Sequence, residues 1–501
     1  MEEFIDAEEK IPTIIIKRPA YSQINFDRTH CELASLLVEE NSNFKKKSCC
    51  SVAASQTRAC LPTSAKSFLF NLFPFIKTLK NYHWRKDITG EIIAGTTVAF
   101  LHIPQAMADG QLATLTPANG LYVAFFPALF YFLMGTSRQL SVGAAAVVSM
   151  MIATFLDAEI YGKGGYNMTV PVNATGEQVA EAEMNVRIGI ALSYNIIIGI
   201  YQLILGVLGA GFITDYLNDP FVSGYTTACA FHVFVSQIWR LFGIKGHGRV
   251  GSFKMFLTLY DLVVRISEVN WITLAMSCVT YVILVVWKEV FDPKVRKRFI
   301  IPIPTELILI VIADVISYFV GLHENHHVAI VGHIPRGFPG LPTVPPYFRW
   351  NYLIDAIPVA LVSYSMCISM SKMLATKFHY HIRPSQEFLA LGITNICCSF
   401  LNCFTASTAM SRTMVQANVG GKTQLASLIS CCVNLVFILF LGSFLSPLPS
   451  CVLAAIVVSN LNGMFAQFRH IKRYWQLCKL DCVSVNSFHQ ISIWFFFNFC
   501  F

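Results

Sequence analysis

Apolar runs separated by short polar or Gly/Pro-containing breaks fill the chain from Ile88 onward. They predict membrane-spanning helices near residues 88–112, 121–134, 188–212, 221–242, 271–287, 305–322, 354–375, 388–404, 425–445 and 452–464. Most approach the roughly 20 apolar residues needed to cross a hydrocarbon layer about 30 Å thick, and several are shorter. Two more segments, 143–155 and 407–416, are too short and too small or polar to cross alone. They predict half-helices that begin within the membrane, where protein or a water-filled cavity must satisfy the free backbone N–H groups. That pair is where a binding site is expected. Between residues 254 and 268, Phe256, Leu259, Val263 and Ile266 recur at helical spacing, which predicts an interfacial helix rather than a span.

Composition agrees with this pattern. With 54% hydrophobic and 13% charged residues, there are too few polar groups to cover a water-facing surface. The net charge of +8 does not point to nucleic acid, because the basic residues cluster beside apolar spans instead of along one face. The clusters at His83-Trp84-Arg85-Lys86, Lys294-Val295-Arg296-Lys297-Arg298 and Arg469-His470-Ile471-Lys472-Arg473 read as cytosolic flanks. Residues 1–80, of mixed charge and without an apolar signal segment, form a cytosolic N-terminal region, and residues 81–501 form the transmembrane region. The triplets Asn167-Met-Thr and Asn173-Ala-Thr fall in a loop expected outside the cell, as glycosylation acceptors. The Gly/Pro/His-rich stretch 323–350 belongs on the same side.

Sixteen cysteines are scattered, many within apolar runs such as Cys397, Cys398, Cys431 and Cys432, so buried free thiols are expected and no metal site. Phosphate-loop, dinucleotide-binding and HExxH motifs are absent, which argues against ATP-driven pumping, enzymatic activity and any cofactor.

The run Pro117-Ala-Asn-Gly-Leu-Tyr-Val-Ala-Phe-Phe-Pro127, followed by Gly135-Thr-Ser-Arg138, resembles the signature of the sulfate permease family. His102-Ile-Pro-Gln-Ala-Met-Ala108, Asp219-Pro-Phe-Val-Ser-Gly-Tyr-Thr-Thr227, Pro302-Ile-Pro-Thr-Glu306, Met410-Ser-Arg-Thr-Met-Val-Gln416 and Gly420-Gly-Lys-Thr-Gln424 join it in family order, so that the resemblance covers about residues 65 to 485. It implies an all-α polytopic fold of two inverted seven-helix repeats, with a core domain moving against a gate domain and the two half-helices meeting mid-membrane. The first span would pair with 354–375, and the half-helix at Gly143 with the one at Ser407. The implied function is secondary transport by alternating access of a small inorganic or organic anion, such as sulfate, oxalate, chloride or bicarbonate. An anion channel, a voltage-sensitive motor and a nontransporting regulatory partner are the alternatives. A homodimer follows from the same resemblance, and the plasma membrane from the expected glycosylated loop.

Half-helices meeting N-terminus to N-terminus focus partial positive charge and free N–H donors on one spot. The resemblance assigns substrate contact to Ser411, Arg412 and Gln105, with backbone N–H groups near Ala144, Ala145 and Ala409 completing the site. Without it, Ser411 would read as a helix-packing serine and Gln105 as an interhelical polar contact. Three departures stand out. Asp109 replaces the usual aromatic four residues after Gln105; it would repel an anion, face elsewhere, or couple proton and anion movement when protonated. Gly143-Ala144-Ala145 lacks the proline and bulky residue often found at the half-helix start, leaving Ser141 as the expected cap. Finally, residues 487–501 suggest a thirteenth span with neither a fourteenth nor the cytosolic STAS domain after it, as in a truncated chain. Glu306 is expected to form a structural salt bridge, and Asp314 is a further acid within a span.

Overall fold

The computed structural model describes residues 74–75, 82–161, 176–215, 219–244, 254–296, 303–332, 334–335, 337–338 and 349–465. All of them lie in the unit Leu69–Phe501. Asn167, Asn173, the cluster 469–473, residues 487–501 and almost all of 1–80 lie outside the described residues.

Each of the ten spans expected between residues 88 and 464 contains a helix. They are α1 (Trp84–Leu112), α2 (Pro117–Met134), α4 (Gly176–Val207), α5 (Asp219–Phe242), α7 (Trp271–Val286), α8 (Thr305–Val320), α9 (Asn351–Phe378), α10 (Pro384–Ser399), α12 (Leu425–Val436) and α13 (Ser450–Phe465). The half-helices are α3 (Ala146–Tyr161) and α11 (Met410–Val419). The amphipathic segment is α6 (Lys254–Val264), whose Phe256 and Val263, with Ile266 just beyond its end, remain exposed on the protein, as an interfacial helix in contact with lipid requires. Pro117-Met134, Glu181–Val207, Trp271–Phe291 and Asn351–Phe378 are long and apolar enough to span a bilayer on length and composition alone.

Packing divides the helices into two groups. In the first, α12 lies against α1 and α2, and α4 lies against α9 and α10. Those relations are the same once α1 is matched with α9, α2 with α10 and α4 with α12, which is the expected inverted repeat. Small residues permit the closest approach: a Cβ added at Gly392 of α10 would sit 2.6 Å from Leu203 N and 2.9 Å from Gly199 O on α4. The second group is α5, α7, α8 and α13, with α13 packed on α5 and α7. The α1 helix touches α13, α8 and α5, and α3 touches α5, so the boundary between core and gate runs along α1 and α3. Nearly all of α2 is buried, whereas α7 and α8 expose Val279, Val282, Ile312, Val315 and Phe319, the surface expected to face lipid.

Glu306 of α8 behaves as expected. Lys288, in the π-helical turn Trp287–Phe291 that continues α7, donates to Glu306 Oε1 at 2.8 Å and to Asn460 Oδ1 of α13 at 2.7 Å. The pair therefore ties three gate helices together. Asp314 is half-buried, with an Oδ1 that has no hydrogen-bond partner among the described residues.

Candidate functional site

Each half-helix is preceded by two residues of extended chain. These are β1 (Val142–Gly143) and β2 (Ser407–Thr408), which pair antiparallel with Val142 opposite Thr408 and Gly143 opposite Ser407. The expected starts at Gly143 and Ser407 are thus corrected to Ala146 and Met410, because the intervening backbone satisfies its hydrogen bonds across the two repeats instead of along a helix. The consequence is geometric: a strand pair fixes the two helix N-termini side by side.

Buried polar groups hold this pair in place. Asn395 of α10 accepts from Ala406 N at 2.9 Å through Oδ1 and donates to Gln202 Oε1 of α4 at 2.8 Å. Ser407 donates to Ser363 O of α9 at 2.9 Å. On the other side Glu387 accepts from Tyr131 OH, Thr136 N, Thr136 Oγ1 and Ser137 N, and Gln424 donates to Ser137 O and Leu140 O. The Gly135-Thr-Ser-Arg138 motif is therefore a loop closed on a buried carboxylate. The Gly420-Gly-Lys-Thr-Gln424 motif repeats that solution: Glu91 of α1 accepts from Lys422 N, Thr423 N, Thr423 Oγ1 and Ala426 N at 2.7–3.0 Å.

Arg412 sits at the centre, with 1% of its surface exposed. Its Nε donates to Ser141 Oγ at 2.8 Å, Nη1 to Gln105 Oε1 at 3.2 Å, and Nη2 reaches Ser141 O and Ala144 O at 3.4 Å each. Four contacts thus tie α11 to α1 and to the chain before α3. This overturns the expectation for Ser141: its hydroxyl is engaged by the guanidinium and lies five residues before α3. Gly143 shows how tightly this corner is packed, since an added Cβ would lie 2.3 Å from His102 Nε2 and 3.2 Å from Arg412 Nη2. Around it, Thr408 Oγ1 donates to Ser141 O at 2.9 Å and lies 3.0 Å from Thr413 Oγ1.

Ser411 points differently. Successive residues on a helix project about 100° apart, and while Arg412 turns inward, Ser411 is exposed beside the exposed Met410. The preceding residue, Ala409, is the N-cap of α11 and supplies no side-chain hydrogen bond, which leaves the first N–H groups of that helix without a side-chain cap. Ala144 and Ala145 are buried, and their small side chains bring backbone, not side-chain, atoms to the corner. Gln105 is half-buried, and because Arg412 holds its Oε1, its amide NH2 points away from the guanidinium. One turn on, Asp109 is buried at 1% exposure, with an Oδ2 that has no hydrogen-bond partner among the described residues. His102 lies one turn before Gln105, also buried, with an unpartnered Nε2. The structure therefore gathers Gln105, Ala144, Ala145, Ala409 and Arg412 around the paired strands, with Asp109 one turn further along α1 and Ser411 exposed. It adds His102, whose i−3 spacing from Gln105 was its sign in the sequence, and gives Ser141 the role of acceptor for Arg412 instead of helix cap. Among the described residues no group of three His, Cys, Asp or Glu side chains could hold a metal.

Residues 88–487 match the model of the sulfate permease family. The chain belongs to that family. Human pendrin is 37% identical over 476 residues, covering 94% of this chain and 59% of pendrin. Prestin of Danio rerio is 33% identical over 488 residues, covering 96% and 64%. The chain thus spans about three-fifths of the length of these members of the family. Among solved structures, murine Solute Carrier 26 family member A9, an anion transporter in the inward-facing state, superposes with a TM-score of 0.77 at 29% identity, over 97% of this chain and 76% of that one. The transmembrane domain of the cyanobacterial bicarbonate transporter BicA shares the family fold at 17% identity, with a TM-score of 0.69 over 84% of this chain and 98% of that one.

Proposed function

We propose that this chain carries small anions across a membrane by alternating access, binding them between the N-termini of α3 and α11. The observation that supports this reading is the β1–β2 pairing, which sets the N-termini of both half-helices, that of α11 without a side-chain cap, beside a buried guanidinium. Helix N-termini and a fixed cation favour negative charge, and the low dielectric of the site strengthens both effects. Ser411 Oγ, the Gln105 amide and backbone N–H groups near Ala144, Ala145 and Ala409 serve as direct donors in this reading. Arg412, most of whose N–H groups are used within the protein, supplies potential and shape. Because these groups select sign of charge more than size, chloride, bicarbonate, oxalate and sulfate all meet the chemistry. The same reading sets residues 1–80 in the cytosol, Asn167 and Asn173 as glycosylated outside, and the chain as a plasma-membrane protein able to form a homodimer.

Uptake of labelled sulfate, oxalate and chloride by cells expressing the chain, beside Ser411→Ala and Arg412→Ala, tests it. Transport should be saturable, and both substitutions should reduce it at least tenfold, the scale of one charge-assisted hydrogen bond of about 1.5–3 kcal/mol. Flux that does not saturate with anion concentration would indicate a channel. No flux from a surface-delivered wild-type chain would refute transport.

A further inference from the structure

The site contains a group that anion binding alone does not need. Asp109 lies one turn beyond Gln105 on the same face of α1, is 1% exposed, and carries a buried carboxylate oxygen with no hydrogen-bond partner among the described residues. A buried ionised carboxylate without a donor is costly, and a membrane interior offers no water to offset that cost. Arg412 on α11 acts electrostatically on Asp109 and is acted on by it, although the guanidinium hydrogen bonds go to Ser141, Gln105 and Ala144 instead.

Charge neutrality then limits the states that this buried corner can adopt. With Asp109 ionised and Arg412 cationic, the empty site is neutral. A monovalent anion added to that arrangement leaves a net negative charge in a desolvated pocket, beside a carboxylate that repels it. If Asp109 takes a proton as the anion enters, the loaded site is neutral again, and the new O–H gains an acceptor. We infer that this chain couples anion movement to a proton carried on Asp109, one proton loading with each monovalent anion. The inference rests on the anion-transport reading above and specifies what travels with the anion. The proton comes from the aqueous side facing the site, resides on a carboxylate oxygen and leaves to the opposite side when the anion does, so no other chemistry is involved. A divalent anion such as sulfate would cross with one proton and a net charge of −1.

The other ionisable groups around Asp109 do not replace it. Glu306 on α8 acts on it but is neutralised by Lys288. On α5, Arg240 donates to Gln111 O, two residues past Asp109. Asp157 of α3 pairs with Arg187. On α1 itself His102 lies two turns earlier, against Gly143. The helices α2, α12 and α13 carry no Asp, Glu, Lys, Arg or His within their bounds.

The test uses the full chain in liposomes clamped at zero voltage with potassium and valinomycin, with labelled chloride uptake and internal pH read together. An inward chloride gradient should acidify the lumen, and an inward proton gradient should speed chloride uptake, with apparent affinity falling about tenfold per pH unit on the alkaline side, as one-proton linkage requires. In Asp109→Asn the chloride that is taken up, at whatever rate, should bring no lumen acidification and no response to the proton gradient, while His102→Gln should keep the proton dependence. Titration of chloride into detergent-solubilised chain in two buffers of different ionisation heat should show about one proton taken up per anion bound in the wild type, and none in Asp109→Asn. Chloride uptake without proton movement in the wild type, or coupling retained in Asp109→Asn, would overturn the inference while leaving the transport reading intact. Absence of both chloride binding and uptake would overturn the transport reading, and this inference with it.

Discussion

Arg412 on α11 donates to Gln105 on α1 at 3.2 Å, across a separation of 307 residues, and orients the glutamine amide so that its oxygen faces the guanidinium and its NH2 is left for another acceptor. One contact thereby joins the two inverted repeats and sets a donor at the candidate site. The arginine next to the exposed serine is thus part of the frame, and the serine is not.

That division predicts different outcomes for neighbouring substitutions. Ser411→Ala should weaken anion binding and leave thermal stability in detergent unchanged, because Ser411 carries no hydrogen bond among the described residues. Arg412→Ala should lower both, with a stability loss of about 2–3 kcal/mol from the stranded Ser141 and Gln105 partners. Arg412→Lys should recover little, since an ammonium cannot fork to both. A thermal-shift series with a parallel binding assay reads both quantities.

Gly143 has room for a hydrogen and nothing more. Gly143→Ala should destabilise the chain by about 1–3 kcal/mol, because its methyl would meet the His102 ring at 2.3 Å. Replacing His102 by alanine as well should recover part of that loss. A double-mutant cycle showing additive costs would mean that the strain is relieved elsewhere.

Glu91 accepts four hydrogen bonds from the start of α12 and the loop before it. Glu91→Ala should cost about 3 kcal/mol or more, and Glu91→Gln less, because the amide oxygen still accepts. Denaturation midpoints of the two variants in one detergent give the comparison.

Lys288 and Glu306 should show charge-reversal rescue. Either single reversal should lower stability by about 1–3 kcal/mol, and the double swap should restore part of it, limited by the hydrogen bond from Lys288 to Asn460.

Much of this architecture was legible in the sequence. Hydrophobic runs, several of them shorter than a bilayer, marked the described spans, and the two segments too short to cross marked the half-helices. The family motifs pointed to Gln105, Ser411 and Arg412. What the sequence did not reveal were contacts set by chain folding over hundreds of residues. Two-residue strands are too short for any alternation of apolar and polar side chains to announce them, so β1 and β2 read as the first turns of helices. Ser141 looked like a cap because it precedes a helix, yet its nearest strong donor, Arg412, is 271 residues away. Glu91 and Glu387 were not singled out, since a lone acid near a helix start usually faces water, whereas here each closes a motif loop from another helix. Asp109 was conspicuous in the sequence, but its missing hydrogen-bond partner emerged only from the packing around α1.

The central claim is that an anion sits between the N-termini of α3 and α11, and Ser411→Glu tests it most directly by tethering a carboxylate at the second residue of α11. Equilibrium binding of labelled chloride or oxalate to the purified variant should be abolished, with thermal stability retained or raised to that of the anion-loaded wild type. Undiminished anion binding by a stably folded Ser411→Glu chain would contradict the account, because the site would then lie elsewhere.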